Sequence, residues 1–156
     1  METIPAIKFG TSLVRVVLLC LFAMALLVAI AHAQTSEPVM VAIAHPATSE
    51  DTIPRSSLRA IFGMRLQKWP AETPVKVFVL RDDTLEHATF SKTVLQVFPH
   101  QLRMAWDRQV FSGQGQYPEQ VGSTQEMLSR VASTAGAIGY VKASEVGQNV
   151  RVLKIR

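Results

Sequence analysis

The sequence predicts an α/β domain, on three observations. Short apolar runs recur at Val39–Ala44, Val75–Leu80 and Gly136–Val141. Segments with helical spacing of apolar residues separate them. Pro, Gly and a Ser-x-x-Glu motif punctuate the junctions. Short runs bounded by turn residues read as buried strands, and alternation of strands with helices is the pattern of α/β folds.

Val39–Ala44 lies between Pro38 and His45-Pro46, so it reads as a strand buried on both faces. A polar loop over Ala47–Thr52 follows. Pro54 marks a helix start, because its fixed φ suits the first turn. Leu58, Ile61 and Phe62 fall at i, i+3 and i+4 on that helix, with Gly63 as its C′ residue. Met64–Pro74 is irregular, broken by Trp69-Pro70 and Thr73-Pro74. Val75–Leu80 is the clearest strand in the chain.

Leu85–Phe98 is expected to be helical, with Phe90, Val94 and Val97/Phe98 as its apolar stripe. Pro99 ends that helix and opens another, on which Leu102, Ala105, Trp106 and Val110 share a face. Gly113–Pro118 reads as a loop, and Ser112–Gln116 could turn backbone amides toward an anion, or serve only as a connector that needs glycine. Ser123-Thr-Gln-Glu126 is a capping box, opening a helix with Met127, Leu128 and Val131. A strand over Gly136–Val141 and a last one over Val150–Ile155 complete the domain. Ile61, Phe62, Val77, Val79, Val94, Trp106 and Ile138 form the expected core.

The chain has 156 residues and a net charge of +4. Lys8 and Arg15 precede the apolar run Val16–Ile30, and Ala31-His32-Ala33 supplies small residues before Gln34. That is the layout of a secretory signal peptide over residues 1–33, with a single domain over 34–156. The run is shorter than the roughly 20 apolar residues of a membrane span, so no stable membrane insertion is expected after cleavage. The expected location is the periplasm. Cys20, the only cysteine, lies in the apolar run, so the mature domain relies on its core and not on disulfides.

The basic residues are scattered, which argues against nucleic acid as a partner. His45, His87 and His100 lie in separate segments without metal-ligand spacing, so no metal and no cofactor are expected. G-x-S-x-G and H-E-x-x-H are both absent from the sequence. Asp82 and Asp83 are adjacent, and neighbours on an extended segment point to opposite faces. No acid/base pair follows, and the chain is not read as an enzyme.

The ordered set Leu58-Arg-Ala-Ile-Phe-Gly63, Trp69-Pro70, Val77–Arg81, Phe111-Ser-Gly113 and Gly136-Ala-Ile-Gly-Tyr-Val141 resembles the substrate-binding proteins of phosphate ABC transporters, within the type 2 periplasmic-binding-protein superfamily. It looks most like their small standalone members. The resemblance implies a single lobe, a mixed sheet flanked by helices that corresponds to one domain of the two-lobed clamp. It also implies a site at Arg81-Asp82-Asp83-Thr84-Leu85-Glu86-His87. Arg81 and Asp83 match the family's arginine and aspartate, whereas Leu85, Glu86 and His87 stand where the family carries Ser-Gly-Thr. Leucine cannot donate to an oxyanion and a carboxylate repels it.

The ligand-binding candidates are therefore Arg81, Asp83, Thr84 and His87. His87 would supply a donor to an anion once protonated. The bland alternative gives Asp83 or Thr84 to helix capping and Arg81 to an ion pair with a neighbouring acid. Two functions follow from the resemblance. One is an exported solute-binding-like protein for a small anion. The other is a periplasmic interaction or accessory module, docking on a membrane or periplasmic protein partner without a small ligand.

Overall fold

The computed structural model describes residues 38–156 and, ahead of them, Arg15 alone. The expected signal peptide lies outside the described residues. Strands β1 (Met40–Ala44), β2 (Thr52–Ile53), β3 (Lys76–Leu80), β4 (Glu119–Val121), β5 (Ala137–Lys142), β6 (Arg151–Val152) and β7 (Lys154–Ile155) alternate with helices. The helices are α1 (Arg55–Phe62), α2 (Leu85–Thr89), α3 (Pro99–Phe111) and α4 (Thr124–Ser133). A π-helical stretch over Phe90–Leu95 prolongs α2.

The main sheet runs β4-β3-β5-β1-β6, and β2 and β7 form a separate two-stranded ribbon. β3 pairs in parallel with β4 and β5, whereas β1 is antiparallel to both β5 and β6. The sheet is mixed and helices flank it, as the family resemblance implies. Adjacent residues of β5 show how both faces are covered. A Cβ on Gly139 would lie 2.4 Å from Met127 Sδ, so α4 packs directly on that face. The Tyr140 ring points the other way and stacks on Phe90, 4.1 Å between centroids.

All seven residues of the expected core are buried. β1 is buried nearly throughout, as its unbroken apolar run implied. Trp69 and Trp106 are packing residues, and each indole N–H finds a carbonyl, at Gly136 (3.0 Å) and Phe62 (2.6 Å) respectively. These bonds let two bulky aromatic rings enter the core without an unmet donor.

Several local expectations are corrected. Helix α2 with its π-helical extension stops at Leu95 and not at Phe98. Gln96 adopts a left-handed conformation there, and Phe98 is extended, as the residue before a proline prefers. Phe98 is consequently exposed. Gly63 has φ −80°, and it is Met64 that takes the left-handed conformation, at φ 58°. Gly63 serves close approach instead, since a Cβ would sit 2.9 Å from the Arg59 carbonyl. Glu126 reaches back to the Gly122 amide, one residue before the expected partner. β4 was not anticipated, and β2 falls partly in the segment read as loop. The expected last strand divides at Leu153 into β6 and β7, which join different sheets.

Gly136 carries the most demanding backbone position. Its φ is +75°, and an added Cβ would lie 2.1 Å from the Pro74 carbonyl oxygen. Gly136→Ala is expected to cost at least about 2 kcal/mol. Chemical unfolding checks this, and an unchanged midpoint would contradict the close approach.

Candidate functional site

The connection from β3 to β4 runs through α2 and α3, on the Tyr140 side of the sheet. The connection from β4 to β5 crosses back over β3 through α4, on the Gly139 side. The chain thus leaves the neighbouring carboxyl ends of β3 and β4 toward opposite faces. That arrangement is a topological switch point at the carboxyl edge, where open α/β sheets usually place their ligand crevice. Two helix starts flank it. Thr84 caps α2, accepting from the His87 amide at 3.3 Å, and Ser123 caps α4, accepting from the Glu126 amide at 3.1 Å.

Arg81 leaves the end of β3 and pairs with Asp83, with Nη2–Oδ2 at 2.5 Å and Nε–Oδ1 at 3.1 Å. Both side chains are exposed. The Arg81 hydrogen bond holds the Asp83 carboxyl below its ordinary value, and Asp83 in turn raises Arg81. The Thr84 hydroxyl donates to the Arg81 carbonyl at 2.7 Å, closing the loop on itself. The bland alternative for Arg81 and Thr84 thus describes their contacts in this structure.

Asp82 faces elsewhere, although not for the expected reason: Asp82 and Asp83 lie in a turn closed by the Thr84 amide on the Arg81 carbonyl, not on an extended segment. Its Oδ2 accepts from Arg103 Nε at 2.8 Å and from Nη2 at 2.6 Å. Arg103 arrives from α3, where its guanidinium lies over the Trp106 ring at 5.1 Å. Sequence reasoning did not find Arg103. Its only signal was an arginine one turn before a buried tryptophan, which does not by itself point to Asp82.

His87 is placed differently from the expectation. Its side chain is fully buried. Nδ1 lies 2.6 Å from the Tyr140 hydroxyl, and that oxygen accepts from the Leu80 amide at 2.9 Å. The hydroxyl keeps its own proton to give to Nδ1, so the ring proton belongs on Nε2. Nε2 and Asp82 Oδ1, 3.9 Å apart, are both buried without a hydrogen-bond partner. Burial lowers the imidazole pKa, Asp82 partly offsets this, and Arg103 works against protonation. The expected role of His87 as an anion donor does not fit this geometry, because its ring is buried in the core and exposes no atom to an anion.

Glu86 turns to Lys142 at the end of β5, with Nζ–Oε1 at 2.8 Å, and Glu145 stands 3.6 Å from the same ammonium. The hydrogen bond from Lys142 lowers the Glu86 carboxyl. Asp82, Asp83, Glu86 and Glu145 thus engage Arg81, Arg103 and Lys142, so carboxylates outnumber cations along this edge. Leu85 is 66% exposed beside them. The glycine loop after α3 adds no anion nest. Gln114 and Gly115 both donate their amides to the Gln109 carbonyl, which ends the helix. Among the described residues no group of three His, Cys, Asp or Glu is placed to hold a metal.

The backbone arrangement is shared with solved phosphate receptors. An ABC-type phosphate transport receptor from Vibrio cholerae superposes with a TM-score of 0.60 at 12% identity, over 76% of this chain and 46% of its own. A putative phosphate ABC transporter substrate-binding protein with bound phosphate from Clostridium perfringens gives 0.61 at 16% identity, over 76% and 45%. PstS from Borrelia burgdorferi gives 0.60 at 15%, over 76% and 47%. This chain has their fold. It spans a little under half the length of each phosphate receptor. No protein-family model matches the sequence, and no curated protein matches it significantly.

The buried imidazole makes stability depend on pH. The folded pKa lies below the ordinary 6.5, so above pH 6.5 the ring is neutral in both states. Below it the unfolded chain takes up a proton that the fold refuses, and stability falls with pH. Unfolding measured between pH 7.5 and 5.5 should show this decline, and His87→Gln should flatten it. An equal slope in the variant would place the titrating group elsewhere.

Proposed function

We propose that this chain is an exported, non-catalytic solute-binding-like protein whose ligand-facing side is the carboxyl edge of β3 and β4, and that inorganic phosphate is not held there tightly. One observation supports this above the others. Each cation at that edge is already paired with a carboxylate of the same chain. An incoming anion must displace, or share the cation with, a carboxylate that already engages it, and it meets that negative charge at close range. Leu85 and Glu86 occupy the positions where the resembling family offers hydroxyl and glycine amide donors. Arg81, Asp83 and Thr84 remain the residues that a small anion would meet first, and binding through them alone is weak.

Export follows from the apolar run and the small residues before Gln34, and we propose cleavage after Ala33 into the periplasm. Intact mass of the exported protein checks this. A species retaining Cys20 would contradict it.

A second reading is favoured by exposed apolar side chains at the same edge. Leu85 is 66% exposed, and Val39, whose carbonyl accepts from the Ala143 amide just after β5, is 70% exposed. Such a rim suits an interaction module that docks on a partner protein.

Calorimetric titration with phosphate at pH 7.5 separates the cases. The expected result is no saturable heat at micromolar phosphate for the wild type. Tight binding that disappears in Arg81→Ala would overturn the proposal. It would show that the Arg81–Asp83 pair opens readily to receive the anion.

A further inference from the structure

Helix α1, like α3, has no acid in its first turn. α2 and α4 each carry a glutamate in the first turn, Glu86 and Glu126, where the helix dipole favours negative charge. α1 begins instead with Arg55. Arg59 stands four residues on, so two like charges share one side of a helix of eight residues. Arg55 at the start and the like-charge spacing oppose helix stability, whereas Arg59 in the last turn suits the dipole. Among the described residues neither arginine makes an ion pair, and the Nε atoms of both are buried without a hydrogen-bond partner.

Two more arginines flank the helix. The Arg156 carbonyl accepts from the Arg55 amide at 3.0 Å, which brings the last residue to the start of α1. Arg65 follows its end, with Nε 3.6 Å from the point a Cβ on Gly63 would occupy. Both are exposed, and neither is ion-paired among the described residues. Arg55 and Arg59 lie on a helix about 12 Å long, with Arg156 at its start and Arg65 past its end, so the four suit a row of separate anionic groups better than one compact anion.

An apolar groove of about 270 Å³ adjoins them, walled by Ile53, Pro54, Ile61 and Leu66, with Arg156 on its rim. Leu66, next to Arg65, is 38% exposed. Glu50 is the carboxylate that lines this groove, and its Oε2 is buried. A soluble polyanion would use the arginines and leave the groove empty. A lipid surface uses both, with phosphate headgroups on the guanidiniums and an acyl segment against Leu66.

We propose that the α1 face, with Arg55, Arg59, Arg65, Arg156 and the Leu66 groove, docks on a membrane surface rich in anionic phospholipid. The contact is peripheral and reversible, and it leaves the carboxyl edge of β3 and β4 free. It does not depend on what that edge binds.

Vesicle co-sedimentation of the exported protein tests this, with phosphatidylglycerol-containing vesicles set against pure phosphatidylcholine. Binding is expected to the anionic vesicles only and to weaken with salt. Losing two half-exposed cations at the contact should weaken it at least about tenfold, at roughly 1 kcal/mol per cation near the surface, so the double variant Arg55→Gln/Arg59→Gln should show that loss. Lys92→Gln/Arg108→Gln removes the same charge from another face and should bind as the wild type does. Thermal melting of both variants confirms that each is folded. Equal losses in the two variants would reduce the effect to net charge and overturn the proposal. So would equal binding to neutral vesicles, or absence of binding by the wild type. Retention by soluble polyphosphate or by an acidic protein, without vesicle binding, would also overturn it by assigning the arginines to another partner.

Discussion

The hydroxyl of Tyr140 is the point on which the candidate site depends. It sits on the central strand β5 and accepts the amide of Leu80, the last residue of β3. It also meets Nδ1 of His87, on the helix that follows. Its ring stacks on Phe90 and lies 5.9 Å from Phe62. One side chain therefore joins β5, the end of β3, α2 with its extension, and α1. Burial raises its pKa, so it stays a neutral phenol that can accept and donate at once.

That junction decides how the carboxyl edge is used. Drawing His87 inward removes the one titratable donor that the α2 start had to offer. Asp82 is turned toward Arg103 and Asp83 toward Arg81, so the charges beyond β3 meet each other before they meet a ligand. The phosphate-receptor fold is kept, while the chemistry at its switch point is that of a closed network. Among the described residues, Arg55 and Arg59 on α1 stand outside the ion pairs, and Arg55 does so at a helix start that disfavours a cation. Fold and ligand chemistry are separable in this way because the sheet needs only buried apolar runs, whereas an oxyanion cradle needs particular unpaired donors.

Much of the fold was legible because its main strands are continuous apolar runs and its helices are marked by Pro54, Pro99 and Ser123. β2 and β4, at two and three residues, have no period to detect and exist only through pairing with distant strands. The π-helical stretch and the left-handed Gln96 leave no compositional mark. At the site, Arg81 with Asp83 and the Thr84 cap are local, so short-range reasoning reached them. The Asp82–Arg103 pair spans 21 residues and the His87–Tyr140 bond 53. A histidine at a helix start reads as a surface group until its buried partner is known. Tyr140 lies within the expected strand Gly136–Val141, but nothing local marks it as the partner of His87.

Equilibrium unfolding of Tyr140→Phe at pH 7.5 tests the central junction most directly. The substitution keeps the ring, its stacking on Phe90 and nearly all its volume, and it removes only the oxygen. A buried Leu80 amide and a buried imidazole nitrogen are then left unmet, so the variant should lose about 2 kcal/mol or more. An unfolding midpoint equal to that of the wild type would contradict the account, because the end of β3 would then be held in place without Tyr140.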